Sequence, residues 1–332
     1  GNSLVFASDR DGNFRLWRLN VAAKDGGQSA SALSIYSEFP IQLSAARKAD
    51  ALVYSALQQD RNIWRLNLQS RQWKRLIASS GQDASPQFSP KGDRICFRSD
   101  RSGEDQLWVS KADGSEAVQI TRGAMRPSVG RWSPDGNSIV FNNPGSDQIW
   151  IAQQNPGADW SVRNTGVQGV HPVFSPDGQW IYAGGTSGIS RFAPTGPPTE
   201  NLTTSRSEAL AISADGRYIY FAREPTDTMI MRLDLQSKAV EKVFEGVVPG
   251  CTSCWALDSD GIYFLGTDRE SFDRQVLYFW DLNKGATRPV VPYPEPLWPL
   301  GSGPFSLGPG GNLLVVRVEP SNSDAMLVKP FR

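Results

Sequence analysis

A short motif recurs along this chain, and its spacing limits the fold more than any single residue does. It consists of an apolar residue, Ser-Pro-Asp-Gly or a degraded copy, and a β-rich stretch closing on an aromatic or aliphatic side chain. The copies read FSPKGDRICF from Phe88, WSPDGNSIVF from Trp132, FSPDGQWIY from Phe174 and ISADGRYIYF from Ile212. Weaker copies are LDSDGIYF from Leu257 and LGPGGNLLVV from Leu307. The closing residues fall at Phe6, Tyr54, Phe97, Phe141, Tyr182, Tyr220, Tyr263 and Val315. Each unit therefore has about the 40–50 residues of one four-stranded blade. A lone blade has two apolar faces and cannot cover both, so units of this kind are expected to stack radially as an all-β propeller.

The chemistry within a unit agrees. In Ser-Pro-Asp-Gly, Pro presets φ at the first central position and Gly takes a position that often needs φ > 0. A strand follows, such as Ile95-Cys96-Phe97 or Ile139-Val140-Phe141. A polar loop leads to a third strand carrying an aromatic, as at Leu16-Trp17, Ile63-Trp64, Leu107-Trp108, Ile149-Trp150 and Tyr278-Phe279. A fourth strand completes the unit, as in VQIT from Val118. No long stretch holds a 3.6-residue apolar period, so almost no helix is expected. Eight units predict eight blades of four antiparallel strands, with seven blades as the alternative. Residues 1–332 are expected to form a single β-propeller domain, because a closed ring is one cooperative unit. Unit one lacks a preceding motif strand, and the last unit stops early, so the chain is expected to be a fragment of a longer one. Closure is expected where the incomplete ends meet, with Leu313–Val318 and Ala325–Phe331 packing on the hairpin at Val5 and Trp17.

The charges carry little directional information. Lys and Arg number 34 and Asp and Glu 34, for a formal net charge of zero. The basic residues are scattered singly, whereas a nucleic-acid-binding domain shows a basic patch or stripe. No nucleic-acid partner is expected for this segment. No run of eighteen apolar residues exists, so no membrane insertion by this segment is expected either. A monomer is expected.

Taken together, the Ser-Pro-Asp-Gly units, the SDR-G loops and the Ile-Trp strands resemble the TolB-type propeller repeat, a relative of the WD-repeat blade. The closing segments GIYFLGTDRE from Gly261, LYFWDLNKG from Leu277 and DAMLVKPFR from Asp324 resemble the C-terminal propellers of large regulators common in Acidobacteria. Those proteins join a CadC-like winged-helix DNA-binding domain, or a Ser/Thr kinase domain, through one membrane span to a propeller. The resemblance implies a sensor or interaction domain of a membrane-bound transcriptional regulator, in a periplasmic or other extracytoplasmic setting. It covers nearly the whole chain and identifies no ligand.

Few residues suggest catalysis. His171 is the sole histidine and precedes Pro172 at the mouth of an innermost strand. It has two readings: a ligand contact or base at the central opening, or a loop residue bonding a neighbouring blade's backbone. The second is favoured. Metal-dependent lyases of the TolB-repeat type need several histidines near the axis, which one histidine cannot supply. Hydrolase domains that accompany such propellers need G-x-S-x-G on a strand-to-helix elbow; GGTSGIS from Gly184 has other spacing and reads as a turn. The SDRDG and SDRSG loops at Ser8 and Ser99 lack the ligand pattern of an EF-hand and read as loops capped by Asp and Ser. No nucleotide-binding glycine loop is present. No cofactor, no bound metal and no enzymatic activity are expected, with a propeller lyase or a hydrolase-accessory propeller as the alternative.

Three cysteines are present. Cys96 lies between Ile95 and Phe97 and reads as a small core residue. Cys251 and Cys254 form C-T-S-C without the βαβ context of a redox motif. They are either a short-loop disulfide or two thiols, and the extracytoplasmic setting implied by the resemblance favours the disulfide.

A recognition surface remains. Binding residues gather on loops held by a rigid scaffold. The loops leading into the innermost strands carry Asp83, Arg126, His171, Glu208, Trp255 and Trp298 as candidate ligand contacts. This mixed set suits a protein, a peptide or a polar small molecule.

Overall fold

In the computed structural model, the described residues are 3–8, 15–21, 30–33, 40–46, 51–123, 125–157, 159–224, 227–249, 251, 253–268, 271, 274–293 and 305–328. All regular structure among them is β, in seven hydrogen-bonded sheets. The chain divides into two compact units, residues 1–60 with 319–332, and residues 61–318. Trp298 lies outside the described residues.

The larger unit is a propeller ring of six blades. Their innermost strands are Asp83–Phe88, Arg131–Trp132, Val170–Phe174, Glu208–Ile212, Trp255–Leu257 and Ser306–Gly308, leading blades 1 to 6. Each of these strands contacts the next, and Ser306–Gly308 contacts Asp83–Phe88, so the series is closed. Blades 1 to 5 are each four consecutive antiparallel strands. Blade 6 is composite: Ser306–Gly308 and Asn312–Val328 join Ala51–Asn67 and Gln72–Ile77 from the other end of the chain.

The smaller unit holds the hairpin Ser3–Ser8 with Arg15–Asn20, and Pro40–Ala46 paired with the start of Ala51–Asn67. Leu16, Leu52 and Tyr54 form its core, with Val5, Ala7, Leu33 and Leu43 packed on them. All eight sequence repeats are thus present as antiparallel strand pairs, six in the larger unit and two in the smaller.

The motif turns link the blades. In blade 2, the Gly136 amide donates to the Ser133 carbonyl at 2.9 Å, and the Ser138 amide donates to Ser133 Oγ at 2.9 Å. Asp135 accepts from the Ser133 hydroxyl and the Asn137 amide, which holds its carboxyl below the usual range. Gly136 has φ +73° and Gly178 φ +71°, where a β-carbon is strained. A Cβ on Gly136 would lie 3.7 Å from Pro90 of the preceding turn, and one on Gly178 3.8 Å from Pro134. Gly92 meets Pro309 in the same way, at 2.2 Å, carrying the turn-on-turn series across from blade 6 to blade 1.

The larger unit closes with apolar side chains from both ends of its sequence. In the larger unit, Leu314 packs with Ile63, Ile95 and Phe97, and Leu313 and Val315 pack with Leu66. The Leu68 amide donates to the Gly311 carbonyl at 2.8 Å. Within the larger unit, Leu313–Val315 are therefore covered by the strand segment that carries Ile63 and Leu66. The reason is the supply of apolar side chains: Ile63 and Leu66 are both fully buried and fill the layer that blade 6 needs. Side chains after Val318, Leu327 excepted, lie outside the described residues.

Gly136→Val and Gly178→Val should each destabilise the protein by more than about 1 kcal/mol in urea unfolding, since a β-branched residue is disfavoured at positive φ. Gly92→Ala should be comparably harmful despite its smaller side chain, because its Cβ overlaps Pro309; an unchanged midpoint would contradict the turn-on-turn packing. Leu314→Ala should cost about 2–5 kcal/mol, the range for emptying a fully buried leucine site. A loss below about 1 kcal/mol would show that ring closure does not rest on this layer.

Candidate functional site

The six innermost strands of the larger unit surround a cavity of about 250 Å³, and every blade contributes to its wall. Apolar side chains outnumber polar ones along the wall, with Phe88, Trp132, Phe174, Trp255 and Phe305 as its aromatic members, although most of the surface exposed to the cavity is polar. The residue before each motif apolar position recurs around it: Gln87, Arg131, Val173, Ala211, Ala256 and Ser306. Only Arg131 in the wall carries a formal charge. Burial alone pulls its guanidinium down to about 10. Its Nε is buried without a hydrogen-bond partner, and so is Gln87 Nε2 on the adjacent strand. Trp132 Nε1 donates to the Gln87 carbonyl at 3.2 Å and ties these two strands together. The Phe88 amide donates to Ser306 Oγ at 3.0 Å and does the same for blades 1 and 6.

The candidate residues named from the sequence are dispersed. Asp83 is fully buried and pairs with Arg101 at 2.6 Å; Arg101 stacks over Phe97 and Trp108 within blade 1. Arg126 is exposed and makes contacts of its own. Glu208 is held by Arg206 at 2.5 Å. Of the five described candidates, Trp255 alone lines the axial cavity.

His171 bridges blades. The innermost strand bulges between Val170 and Val173, and His171 takes φ +48° there. Its amide donates to Asn142 Oδ1 at 3.2 Å, and its Nδ1 accepts the Ala209 amide of blade 4 at 3.1 Å. An imidazole that accepts through Nδ1 carries its proton on Nε2. Burial pushes its pKa down to about 4, with Arg131 adding to the fall and Glu208 opposing it. Ser85 and Ala209 occupy the same bulge position at φ +53° and +54°, so this backbone device repeats in blades 1 and 4.

Cys251 and Cys254 are disulfide-bonded with a Cα–Cα distance of 5.4 Å. Both sulfurs belong to a cluster with Val248, Leu265 and Leu277, directly before the wall residues Ser253 and Trp255. Cys96 is fully buried, and desolvation raises its thiol far above the reactive range. The Ser99 loop is capped locally: Asp100 Oδ1 accepts the Gln82 amide at 2.6 Å and Ser99 Oγ the Arg101 amide at 3.3 Å. No group of three or more His, Cys, Asp or Glu poised for a metal occurs among the described residues.

Known proteins agree with this architecture. Residues 49–193 match the family described as TolB beta propeller domain. These repeats are similar to TolB-type propeller blades. A putative TolB from Agrobacterium tumefaciens superposes with a TM-score of 0.62 at 18% identity, over 80% of this chain and 100% of that one. A puromycin-hydrolyzing peptidase from Mycobacterium tuberculosis gives a TM-score of 0.54 at 13% identity, over 88% of this chain and 51% of that one. At these identities the likeness is one of fold. In sequence, the uncharacterized peptidase YuxL of Bacillus subtilis is 27% identical over 150 residues, which are 44% of this chain. The chain spans 22% of YuxL's length. No helix among the described residues is long and apolar enough to cross a membrane.

The stability of the ring depends on pH through His171. Its folded pKa of about 4 lies below the unfolded value near 6.5. Between those values the unfolded chain binds more protons, so stability rises with pH across that window. The contribution is complete above pH 6.5, falls as pH drops towards 4 and is constant below that. Its size is at most roughly 3 kcal/mol. Unfolding of wild type and His171→Gln at pH 4 to 7 should give a stability difference that varies across the window. A pH-independent difference would show that the imidazole is not buried in its neutral form.

Proposed function

We propose that this chain is a non-catalytic recognition propeller that binds its ligand at the ring axis of the larger unit. The observation that carries this reading is the axial cavity, walled by one segment from each blade and furnished with few polar side chains. Binding sites are concave, mostly apolar and furnished with few polar groups. The catalytic alternative finds little support in the histidine. His171 uses Nδ1 on a backbone amide of the next blade, which serves packing rather than proton transfer. A sensor role in a membrane-anchored transcriptional regulator is the finer form of the proposal, resting on the sequence resemblance of the closing segments. The Cys251–Cys254 disulfide supports an extracytoplasmic setting, because such bonds persist in oxidising compartments.

A second reading, a propeller accessory to a hydrolase, is favoured by the similarity to YuxL and to the mycobacterial peptidase. The two readings differ in what the chain does alone. A thermal-shift screen of peptides, glycans and metabolites should yield ligands that raise the melting temperature, because a ligand of the native state stabilises it by mass action. Trp255→Ala should abolish the shift, and chromogenic aminoacyl substrates should not be turned over. Turnover would overturn the non-catalytic reading, and hits that survive Trp255→Ala would move the site off the axis.

A further inference from the structure

Resting on the axial-recognition reading, we infer that the cavity takes a small monocarboxylate with an apolar body, its carboxylate held by Arg131 and Gln87. Three features of the wall converge on this chemistry. The first is an imbalance of hydrogen-bonding groups. Arg131 Nε and Gln87 Nε2 are both donors, both buried, and neither meets an acceptor. They sit at equivalent positions on neighbouring innermost strands, so both belong to one side of the cavity wall. Buried donors are normally satisfied, and a pair left open at a cavity marks the place of an absent acceptor.

The second feature is the charge. No carboxylate lines the cavity, and among the described residues no ion pair or hydrogen bond engages the Arg131 guanidinium. Glu208, which acts with Arg131 on His171, is taken by Arg206. A guanidinium that is partly buried, Nε fully so, and lacks a counter-charge is unfavourable, so one negative charge is the complement. One arginine balances a monoanion. A phosphate monoester, carrying nearly two charges, would need a second cation that the wall does not have. Guanidinium and carboxylate also match in shape, two parallel N–H donors meeting two oxygens.

The third feature is the remainder of the wall. Phe88, Phe174, Trp255 and Phe305 offer apolar surface around the ligand's body. A volume of about 250 Å³ is below the usual range for drug-sized ligands, so the body is of the size of one amino-acid side chain. A free organic acid and the chain end of a peptide share this chemistry.

The test uses the chain as it exists and four probes: N-acetyl-phenylalanine, its neutral amide, and a pentapeptide ending in Phe with a free or an amidated carboxylate. Binding is read by calorimetry and by the melting shift. Wild type should bind at least one free carboxylate at least tenfold more tightly than the matching amide. Response to the free acid alone assigns a small organic acid, and response to the peptide alone assigns a chain end. Arg131→Met should lose at least tenfold in affinity while the ligand-free protein melts no lower than wild type, since an uncompensated charge has been replaced by an apolar side chain. Gln87→Leu keeps the charge and should weaken binding by a smaller factor, which holds the test open should the arginine variant fold poorly. Equal binding of acid and amide, undiminished affinity in both variants, or no response to any probe would overturn the carboxylate assignment. A ligand from the broader screen that depends on Trp255 but not on Arg131 would leave axial recognition standing and remove this inference alone.

Discussion

The covering of blade faces governs this structure. A second strand such as Ile95-Cys96-Phe97 or Ile139-Val140-Phe141 is buried at three successive residues, so its alternating side chains are apolar on both faces. Each face is covered by the adjacent blade. Cys96 and Leu107 of blade 1 share a cluster with Ile139 and Phe141 of blade 2; Val140 and Ile149 share the next with Phe174 and Ile181. The series continues through Leu210 and Ile219, then Trp255 and Ile262. It returns through Leu265, Leu66 and Leu313 to the cluster of Ile63, Leu314 and Ile95. A linear stack of blades would leave its two outer faces in water, so the last cluster decides whether the others persist. Blade 6 meets that need with strands from opposite ends of the chain, tying the ring shut by sheet hydrogen bonds as well as apolar contact.

The same constraint shapes the axis. Face-to-face packing brings the innermost strands together, and the residue before each motif apolar position is left facing a common space. Backbone positions there are set closely. A Cβ on Gly130 would lie 2.8 Å from Cys96 Sγ and 2.9 Å from an Ile139 methyl, so the segment carrying Arg131 is pressed against blade 1 and its own blade. Arg131 therefore projects from a fixed backbone. The disulfide does a related service on the other side, where Cys254 is buried immediately before Trp255. Polar groups that are held in place without partners are more costly than mobile ones in water, and a fold retains them most readily where they are used.

Much of the ring was legible because its signals are local. Ser-Pro-Asp-Gly specifies its turn within five residues, and Ser133, Asp135 and Gly136 take the roles that turn chemistry assigns them. Strand content follows from short apolar runs. Closure was not legible, since pairing Asn312–Val328 with Ala51–Asn67 is a contact between segments about 250 residues apart with no local signature. The site was harder still. Polar residues on leading loops drew attention, yet Asp83, His171 and Glu208 serve ion pairs and blade-to-blade hydrogen bonds. The useful signal was columnar. Aligning the repeats on Phe88, Trp132, Phe174 and Ile212 puts Gln87, Arg131, Val173 and Ala211 in one column, and the two hydrophilic members are the ones whose buried donors lack partners.

That column carries folding and the proposed recognition together. Val173 and Ala256 belong to inter-blade clusters and Ser306 ties blades 1 and 6, so changes there alter packing as well as the cavity. Gln87 and Arg131 belong to none of these clusters, and on the proposed reading they set the polar part of the ligand chemistry. In this chain four of the six column positions are small or apolar, one is an amide and one a cation. The cation and the amide are adjacent, which concentrates the donors on one side and leaves aromatic surface elsewhere. The central space thereby carries its one formal charge on one side. A ligand with matching ends is oriented by that asymmetry alone, because reversing it would set its charged group against Phe174 and Trp255 and leave the two donors unmet.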